Sequence, residues 1–583
     1  MSMEKENLDN LRHSCAHLLA RSVLELWPGT QNAIGPAIEN GFYQDFDFGE
    51  IKISEDDLSK IEDKMRELLQ NWNSFQIQEV SVEQAKKDFA WNQYKLELID
   101  EFSLQGKTIT ETKQGDFLDL CKGGHVDSLK EELKHFKLLS LAGAYWRGSE
   151  DNKMLTRVYG TVFPTAAELE AHLNMLEEAK KRDHRKLGKE LGLFVFSELV
   201  GPGLPLFTPK GCVVRNQIAN YSRELNSRIG FEEVHTPNMN KAELFKVSGH
   251  YDKYKDDMLE VKSHYTDEAY FLKPMNCPQH TQIYASQTRS YRDLPLRFAD
   301  FANLYRDERP GELSGLTRLR CFSQDDGHIF CREDQIKFEF TQVLGAIQQA
   351  LKTYGLNYWI RLSLRDPNAK EKYLGDDSLW ENAEATMQSL LEENNIEFKA
   401  VEGEAAFYGP KMDIMAQDSI GREWQISTIQ LDFNMPKRFE LVYADQDGTE
   451  KNPVMIHRAI VGSPERFMGI LIEHYGGAFP LWLAPVHVRI LPVSNDKHAE
   501  GAQKFKDELT AAGIRAEVDT ADETVGNKIR KSAGAKIPYV LVVGDKELSG
   551  EPLMVRIRGQ ENQEKMEKNE FIERVLREIK ERK

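Results

Sequence analysis

The segment from Arg297 to Cys331 holds a dense group of residues that could bind a polyphosphate. An apolar and aromatic run, Phe298–Tyr305, is typical of a buried strand, and Arg306 follows it directly. A second run, Thr317–Phe322, returns after a polar Pro-Gly turn and carries Arg318. Guanidinium groups are permanently charged and match phosphate oxygens in a bidentate fork. Two arginines on one predicted antiparallel hairpin therefore indicate a phosphate site.

A simpler interpretation is a surface hairpin whose arginines are only solvated, which is the commoner outcome for an arbitrary Arg-x-Glu sequence. The residues that follow disfavour it. Asp325, Asp326 and His328 come soon after the aromatic Phe322, and an ordinary hairpin seldom carries so many ionisable groups. The segment is therefore predicted to form a site.

A second set of chemically capable residues lies near the N-terminus. His13 and His17 are four apart in a helical pattern, so they share one face of one turn. Far downstream, Cys121 and His125 are four apart on a glycine-rich turn. Two histidines, a cysteine and a third histidine have the composition of a zinc site. The alternative is two unrelated polar surfaces.

Three more candidate metal ligands are scattered over a longer stretch. Cys277 is bracketed by prolines, which indicates a rigid turn that could present a thiolate, although a lone cysteine is more often a packed small hydrophobe. His328 and His457 lie in separate apolar segments. Spacing alone does not show whether the three side chains meet.

Length and composition limit the kind of protein that positions these residues. A chain of 583 residues is too long for one core and predicts several domains. No apolar run of ~18 residues indicates a membrane span, and the polar N-terminus lacks a signal-peptide core. Six scattered cysteines are typical of a reducing compartment, so a cytoplasmic location is expected. A net charge of −18 disfavours nonspecific nucleic-acid binding but leaves an RNA partner open.

Periodicity predicts the elements that carry the candidate residues. Asn10–Trp27 has the spacing of a helix, and Ala166–Leu191 is predicted as one long helix that connects two larger regions. Val213–Ile229 is a further predicted helix. From about residue 484, strands and helices alternate, which favours a small α/β domain with a mainly parallel sheet.

These motifs together resemble a known enzyme family. Tyr305–Glu308 with Arg318 and Phe322 resembles motif 2 of class II aminoacyl-tRNA synthetases, and Gly462–Phe467 resembles motif 3. The helix, strand and proline between residues 213 and 237 resemble motif 1, which forms the dimer in that class. The run RCFSQDDGHIFC at 320–331 is similar to threonyl-tRNA synthetases in particular, and the resemblance extends over nearly the whole chain.

The resemblance implies a multidomain α+β and α/β protein. It also implies a homodimer with no membrane partner. Its segments would be an α+β editing domain (1–164), a helical linker (165–189), a class II antiparallel-sheet catalytic domain (190–483) and a C-terminal α/β anticodon-binding domain (484–583). Many threonyl-tRNA synthetases begin with a ubiquitin-like domain, but the motif HSCAH starts at residue 13 and leaves no room for it. Either the lineage lacks that domain or it was removed.

The implied reaction is threonine activation with ATP and Mg²⁺, followed by transfer to tRNA(Thr). Arg306 would bind the α-phosphate and Arg318 the pyrophosphate. Arg466 would cap the ATP on one side, and Phe322 would stack on the adenine from the other side. The remaining implied positions are Glu308 at the adenine amino group, Gln425 and Thr428 near the adenosine, and Tyr408, Lys411, Gln324 and Asp326 around the amino acid and the tRNA 3′ end.

The resemblance also implies one zinc ion per subunit, held by Cys277, His328 and His457. An apolar pocket discriminates poorly between isosteres such as threonine and valine, whereas a metal with an open position can require the threonine hydroxyl. Serine keeps that hydroxyl and lacks only a methyl group, which is worth roughly 1–3 kcal/mol. A separate hydrolytic site for seryl-tRNA would remove this error.

That second site is implied at the N-terminal residues. His13, His17, Cys121 and His125 match the signature of the editing domain shared with alanyl-tRNA synthetases. In the threonyl form they are expected to work without a metal, whereas alanyl relatives bind zinc there. Lys95 and Asp119 would orient the ester and the water. Gln44 departs from the pattern, because relatives often carry an aromatic residue after Tyr43. In the C-terminal domain, Glu547 and Arg556 are candidate readers of the anticodon.

Two other functions are less consistent with these residues. A synthetase-like RNA-binding protein without catalysis would usually have lost the phosphate-binding arginines, yet Arg306, Arg318 and Arg466 are all present. A ligase for another amino acid is disfavoured by Cys277, His328 and His457 together with the editing signature.

Overall fold

A computed structural model describes the backbone of residues 3–583 and the side chains of residues 7–309 and 311–583. The chain forms two compact units, Met1–Glu177 and Glu178–Lys583. Within the described residues no helix is both long and apolar enough to cross a membrane.

The first unit contains two antiparallel sheets. The larger sheet has Gly41–Asp47 and Met154–Phe163 at its centre, with His135–Tyr145 next to Met154–Phe163. Short strands Gln31–Asn32 and Ala37–Ile38 pair with Gly41–Asp47. The second sheet has the order Gln76–Val80, Ile109–Gln114, Phe117–Leu120. The helices are Met3–Leu26, Asp57–Leu69, Val82–Asp88, Gln93–Leu104, Leu129–Glu132 and Ala166–Arg182, the last of which crosses the boundary between the units.

The long first helix positions the N-terminal histidines. Its apolar residues, among them Leu18 and Leu19, pack with Phe42 and Phe46 of the larger sheet in one buried core. This packing fixes the rotation of the helix. The sequence-predicted helix Asn10–Trp27 corresponds to the observed helix Met3–Leu26.

The larger part of the second unit is built on an eight-stranded sheet. Its order is Glu232–Glu233, Leu296–Asp300, Asp326–Cys331, Val454–Ala459, Glu423–Asp432, Lys411–Gln417, Asn357–Leu364 and Phe398–Glu402. The sheet is antiparallel except at its two edges, where the outermost pairs are parallel. Its helices are Pro209–Arg228, Ala242–Ser248, His250–Tyr254, Cys277–Ala285, Ile336–Tyr354, Asp377–Glu393, Met435–Arg438 and Pro464–Tyr475. Smaller strands are Phe194–Val195, Leu206–Phe207, Met239–Lys241, Glu260–Val261, Tyr270–Leu272, Asn303–Tyr305, Cys321–Ser323, Tyr443–Ala444 and Glu450–Lys451.

The predicted continuous strand Phe298–Tyr305 is wrong in one respect. The chain forms two strands there, Leu296–Asp300 and Asn303–Tyr305. The first pairs with Asp326–Cys331 in the main sheet, whereas the second pairs with Cys321–Ser323 in a separate antiparallel ribbon. The two strands have different partners, so the chain leaves the sheet between them. The predicted hairpin therefore corresponds to this ribbon, and residues 306–320 form the loop that it carries, here termed the arginine loop.

The predicted single helix Ala166–Leu191 is also wrong. It is two helices, Ala166–Arg182 and His184–Glu190, separated at Asp183. Asp183 has an extended ψ of 119°, and its carboxylate accepts a hydrogen bond from the Arg185 backbone N–H at 2.8 Å. This is an N-cap, which ends one helix and starts another. Asp183 is a residue type that favours helix N-caps, but it lies among other charged residues that also fit a continuous helix.

The C-terminal region is a mixed sheet with helices. Its strand order is Ala516–Val518, Val488–Pro492, Tyr539–Val543, Leu553–Ile557 and Glu564–Met566. The first three strands are parallel, as predicted, and the last two add to the edge in antiparallel fashion. The helices are Asn495–Ala511, Val525–Gly534, Asp545–Leu548 and Lys568–Glu581.

Candidate active sites

A cavity of about 540 Å³ opens on the eight-stranded sheet of the second unit. The arginine loop, the sheet and the helix Pro464–Tyr475 all contribute to it. The sequence-predicted residues that line it are Arg306, Glu308, Arg318, Phe322, Gln324, Gln425, Thr428 and Arg466. Residues from three distant segments therefore share one cavity. All of them were predicted from sequence to contact ATP except Gln324, which was predicted to lie near the amino acid and the tRNA 3′ end.

Two of the arginines carry charge that the protein does not neutralise. The Arg306 guanidinium lies 5.2 Å from the centre of the Phe322 ring. Within the side chains that the structure describes, neither Arg306 nor Arg466 forms an ion pair, and the buried Nε of Arg466 has no hydrogen-bond partner. Burial, reinforced by the nearby Arg306 charge, lowers the pKa of Arg466. Two unpaired cations in one cavity form an anion site.

Arg318 is arranged differently, because its guanidinium is bound to carboxylates of its own loop. Its Nε donates to Glu308 at 2.7 Å, and its Nη2 donates to Glu312 at 2.9 Å. The side chain is 49% exposed. A ligand that engages Arg318 or Glu308 must therefore exchange this ion pair for its own contacts.

Asp413, which sequence reasoning missed, organises the floor of the cavity. This buried carboxylate accepts hydrogen bonds from Gln425 at 2.8 Å and from Thr428 at 3.1 Å. Lys411 directs its ammonium to the same carboxylate at 2.9 Å, and Arg361 does so at 3.0 Å. Lys411 was predicted to reach the amino acid, and that contact stays a prediction.

A smaller cavity of about 150 Å³ adjoins the larger one. Both cavities are lined by Arg306, Gln324, Thr428 and Gln430. The smaller cavity is further lined by Asp326, Tyr408 and the three predicted metal ligands Cys277, His328 and His457. The continuity places a Cys/His group at one end and the arginines at the other.

The three predicted ligands meet, although spacing could not show it. The possible ligand atoms of Cys277, His328 and His457 all lie within 4.8 Å of one another, and all three residues are buried. His328 Nε2 lies 3.0 Å from His457 Nδ1. Both histidines come from adjacent antiparallel strands, where they are direct cross-strand partners. Cys277 begins the helix Cys277–Ala285, so the predicted rigid turn is wrong.

The other ring nitrogens of these histidines are held by neighbours. His457 Nε2 lies 3.0 Å from Asp432, and His328 Nδ1 lies 2.7 Å from His280. Such partners orient metal-binding imidazoles, so the donor set of one thiol and two imidazoles fits a three-ligand zinc site with an open position. Burial, with the charges of Asp326 and Asp432, raises the pKa of Cys277 well above its ordinary value.

The N-terminal residues also form one cluster, inside the first unit. The possible ligand atoms of His13, His17, Cys121 and His125 lie within 4.8 Å of one another. His13 Nε2 is 3.0 Å from Cys121 Sγ, and His125 Nε2 is 3.5 Å from the same sulfur. The alternative of two unrelated polar surfaces is therefore wrong.

Two charged residues stand behind this cluster, as the sequence predicted. His17 Nδ1 lies 3.1 Å from Asp119, whose other oxygen lies 2.5 Å from Lys95 Nζ. Burial opposes ionisation of these groups, but their mutual contacts outweigh it. Hydrogen bonds to Asp119 and Cys121 raise the pKa of His17 to about 9, and hydrogen bonds from the histidines lower the pKa of Cys121 to about 3. The pKa of Asp119 lies well below its ordinary value because of Lys95 and His17.

Gln44 is buried in the strand Gly41–Asp47, and its amide nitrogen has no hydrogen-bond partner among the described side chains. A Cβ on Gly35 would lie 1.8 Å from its Oε1, so the glutamine amide packs directly on that glycine. Asn32, three residues before Gly35, donates a hydrogen bond to Asp119 at 3.2 Å.

The two predicted anticodon readers lie in the C-terminal region. Glu547 accepts a hydrogen bond from the Gly544 backbone N–H at 2.9 Å, which caps its own short helix. Arg556 lies on the strand Leu553–Ile557, and its buried Nε has no hydrogen-bond partner there. Their contact with bases stays a prediction.

Three family descriptions match successive parts of the chain. The "Threonyl and Alanyl tRNA synthetase second additional domain" matches residues 112–159. The "tRNA synthetase class II core domain (G, H, P, S and T)" matches residues 259–475, and the "Anticodon binding domain" matches residues 487–578.

Relatives extend this likeness to nearly the full length. A threonine–tRNA ligase of Rubrobacter xylanophilus is 48% identical over 577 residues, which cover 98% of this chain and 89% of that protein. One from Thermotoga neapolitana is 47% identical over 98% of this chain and 88% of the relative. A crystal structure titled as the RNA binding domain of threonyl-tRNA synthetase from Cryptosporidium parvum Iowa II matches with a TM-score of 0.65 at 37% identity, covering 68% of this chain and 98% of that one.

The antiparallel sheet with its arginine-lined cavity defines a class II aminoacyl-tRNA synthetase, with an editing domain and an anticodon-binding domain. ATP and Mg²⁺ are required by that class. The chain belongs to the threonine–tRNA ligase family, and the enzyme attaches threonine to tRNA.

Proposed function

We propose that the larger cavity holds ATP and the smaller one threonine, with Arg306 at their junction. The observation that carries this assignment is that Arg306 and Arg466 bring two unpaired positive charges into a cavity continuous with the Cys/His group. A carboxylate is already a nucleophile, so activation needs no general base. It needs in-line positioning against the α-phosphate and compensation of the charge that develops there. Arg306 supplies both, and Arg318 leaves Glu308 to hold the pyrophosphate.

We infer that Cys277, His328 and His457 hold zinc. When bound, the ion offers an open position to the amino and hydroxyl groups of threonine, which valine cannot fill completely. Asp432 orients His457, and His280 orients His328. Tyr408, whose ring stacks on His457 at 4.7 Å, closes one side of the pocket.

We infer that the N-terminal cluster hydrolyses seryl-tRNA(Thr) without a metal. Ester hydrolysis needs a positioned water and a cation or donor for the developing oxyanion. His17, held by Asp119, can position the water, and Lys95 can supply the cation. A metal-bound form of the same four residues is the alternative that the ligand geometry allows.

The domain boundaries 1–164, 165–189, 190–483 and 484–583 remain our proposal, supported by the three matched family ranges. We also propose a homodimer, tRNA(Thr) as the substrate and the cytoplasm as the location, where a ligase of translation acts.

The test is ATP–pyrophosphate exchange on zinc-loaded enzyme with threonine, serine and valine, together with the zinc content per chain. We expect the strongest exchange with threonine, weaker exchange with serine and near-background exchange with valine. Cys277→Ser should lose zinc and most threonine exchange. Cys331→Ser, which changes a buried cysteine outside the two cavities, is the matched control and should keep both.

Absence of exchange with all three amino acids would reject the assignment of the cavities. Equal exchange with threonine and valine would retain the ATP assignment and reject the role of zinc in selection. Hydrolysis of seryl-tRNA that survives chelation, in enzyme from which the Cys277 zinc has been removed, would support the metal-free editing site.

A further inference from the structure

His184, a buried histidine outside both cavities, joins two elements that carry the ATP-site residues. It is the first residue of the helix His184–Glu190, directly after the cap Asp183. Its Nδ1 lies 2.6 Å from Glu473 of the helix Pro464–Tyr475, which also carries Arg466. Its Nε2 lies 2.9 Å from the backbone nitrogen of Leu316 in the arginine loop.

The contacts fix the tautomer of this imidazole. A backbone N–H can only donate, so Nε2 must accept from Leu316 and carries no proton. Nδ1 therefore carries the hydrogen and donates to the Glu473 carboxylate. Burial alone would raise the pKa of Glu473, but hydrogen bonds from His184 and the charge of Arg422 outweigh it and lower that pKa. The acceptor is therefore an ionised carboxylate, which strengthens the hydrogen bond.

Asp183, His184 and Glu473 are also close enough to suggest a cation site, since their possible ligand atoms all lie within 4.8 Å of one another. Each atom is already engaged. Asp183 caps the helix through Arg185, Nδ1 faces Glu473 and Nε2 accepts from Leu316. The arrangement is a hydrogen-bond relay, with no ring nitrogen left for a metal.

The backbone of the loop is shaped to reach the imidazole. Gly315 has a φ of +48°, and a Cβ there would lie 2.1 Å from His184 Nε2. On the facing helix, a Cβ on Gly469 would lie 3.3 Å from the Leu316 Cβ. Glycine at both positions lets the loop, the helix and the imidazole approach closely.

Leu316 transmits this contact to the site. Its side chain lines the larger cavity, and the next residues form a tight turn in which Arg318 N donates to Ser314 at 3.2 Å. Arg318 therefore has little freedom to move independently of Leu316. The hydrogen bond from Leu316 to His184 thus fixes the arginine loop relative to the helix of Arg466.

We propose that His184 is a positioning residue for ATP: it holds the arginine loop against the helix Pro464–Tyr475 so that Arg306, Arg318 and Arg466 bind one nucleotide together. This inference rests on the assignment of the larger cavity to ATP. It concerns binding and orientation of the nucleotide, and leaves the threonine pocket unaffected.

Two amide substitutions separate the two hydrogen bonds. Asparagine places an amide nitrogen near the position of Nδ1 and can keep the bond to Glu473, whereas glutamine places an amide oxygen near Nε2 and can keep the bond from Leu316. In ATP–pyrophosphate exchange we expect His184→Ala and His184→Asn to raise the KM for ATP about tenfold, because a buried N–H loses its partner. His184→Gln should stay within about threefold of the unsubstituted enzyme, because the backbone N–H of residue 184 still donates to Glu473 at 3.0 Å and the side chain still accepts from Leu316. The KM for threonine should change less than about twofold in all three variants.

His487→Ala is the matched control. His487 is also buried, and its Nδ1 accepts a hydrogen bond from the Arg515 backbone N–H at 3.1 Å, but it lies directly before the strand Val488–Pro492 of the C-terminal region. Its loss should lower the Tm and leave the KM for ATP unchanged. If His184 had only a structural role, its variants would lower the Tm as His487→Ala does. They would then change the KM for ATP and the KM for threonine to the same extent.

Gly315→Ala tests the same contact from the side of the arginine loop. The new methyl group meets the imidazole, so it should raise the KM for ATP in the unsubstituted enzyme and raise it less when His184 is alanine. A normal KM for ATP in His184→Asn, or equal changes for ATP and threonine in every variant, would overturn the proposal. If Arg306→Ala keeps full exchange, the ATP assignment itself fails. If Arg306→Ala loses exchange while His184→Ala keeps its KM, only the role of His184 fails.

Discussion

The two cysteine–histidine clusters of this chain are built from the same residue types, yet their surroundings differ in charge. The cluster of the first unit contains its own cation, because Lys95 pairs with Asp119 and Asp119 contacts His17. The cluster of the second unit has two carboxylates beside its histidines, with Asp432 on His457 and Asp326 3.7 Å from His328.

This difference in charge suits the two clusters to the two chemistries that we propose for them. In the first unit the charges of thiolate, carboxylate, imidazolium and ammonium compensate one another, which leaves a polar site suited to positioning water. In the second unit the negative groups around three ligands match an added dication. The identity of the ligands therefore decides less than the charged residues behind them.

The largest expected effect is on hydrolysis. Asp119→Asn removes the carboxylate that orients both Lys95 and His17, so deacylation of seryl-tRNA should fall about 10²- to 10⁴-fold. ATP–pyrophosphate exchange should remain normal, which measures the independence of the two regions. Glu111→Gln is the matched control, since Glu111 is a buried carboxyl in the same small sheet. A parallel loss of exchange in Asp119→Asn would show that the clusters are not independent.

The complementary change is Arg306→Ala, which removes the charge at the junction of the two cavities. Adenylate formation should fall about 10²- to 10³-fold, measured by pyrophosphate exchange, because charge developing at the α-phosphate loses its partner. Hydrolysis of supplied seryl-tRNA should persist. Arg309→Ala, an exposed arginine of the same loop, serves as the control. Unchanged exchange in Arg306→Ala would place the phosphates elsewhere.

The smallest effect concerns the pH dependence of stability of the first unit. Folded His17, with a pKa of about 9, and folded Cys121, with a pKa of about 3, together hold one proton between those pH values. In the unfolded chain the pair also holds one proton between pH 6.5 and 9, because the thiol keeps its proton there and the imidazole does not. Below pH 6.5, the ordinary pKa of imidazole, the unfolded pair holds two protons. Stability should therefore be flat from pH 6.5 to 9 and fall below pH 6.5, by at most about 1.4 kcal/mol per pH unit.

Urea unfolding at pH 5 and pH 7.5 measures this slope. The double variant His17→Gln with Cys121→Ser removes both titrating groups and should have a shallower acid slope. An equal slope in the variant would assign the acid sensitivity to other carboxylates. Cys277→Ser makes the same test in the second cluster. The Cys277 thiol has a raised pKa and stays protonated in this pH range, so its replacement should leave the acid slope unchanged.

The sequence by itself determined the family, the fold class and the ligase activity. The spacing of His13 and His17 places them on one helical face, and Arg306, Arg318 and Arg466 lie in recognisable local motifs. The comparisons with relatives confirm the threonyl-tRNA synthetase resemblance and the fold class that these motifs predicted. These signals are local, and a few neighbouring residues suffice to produce them.

Tertiary structure decided which distant residues meet and what charge surrounds them. Asp432, Asp413 and His280 have no sequence signal that links them to the sites they organise. The break at Asp183 depended on a capping hydrogen bond that competes with an otherwise good helical pattern, and the contact of His184 with Glu473 spans 289 residues. The cap at Asp183 is local, but the contacts of Asp432, His280 and His184 arise from long-range packing, whose partners no local pattern specifies.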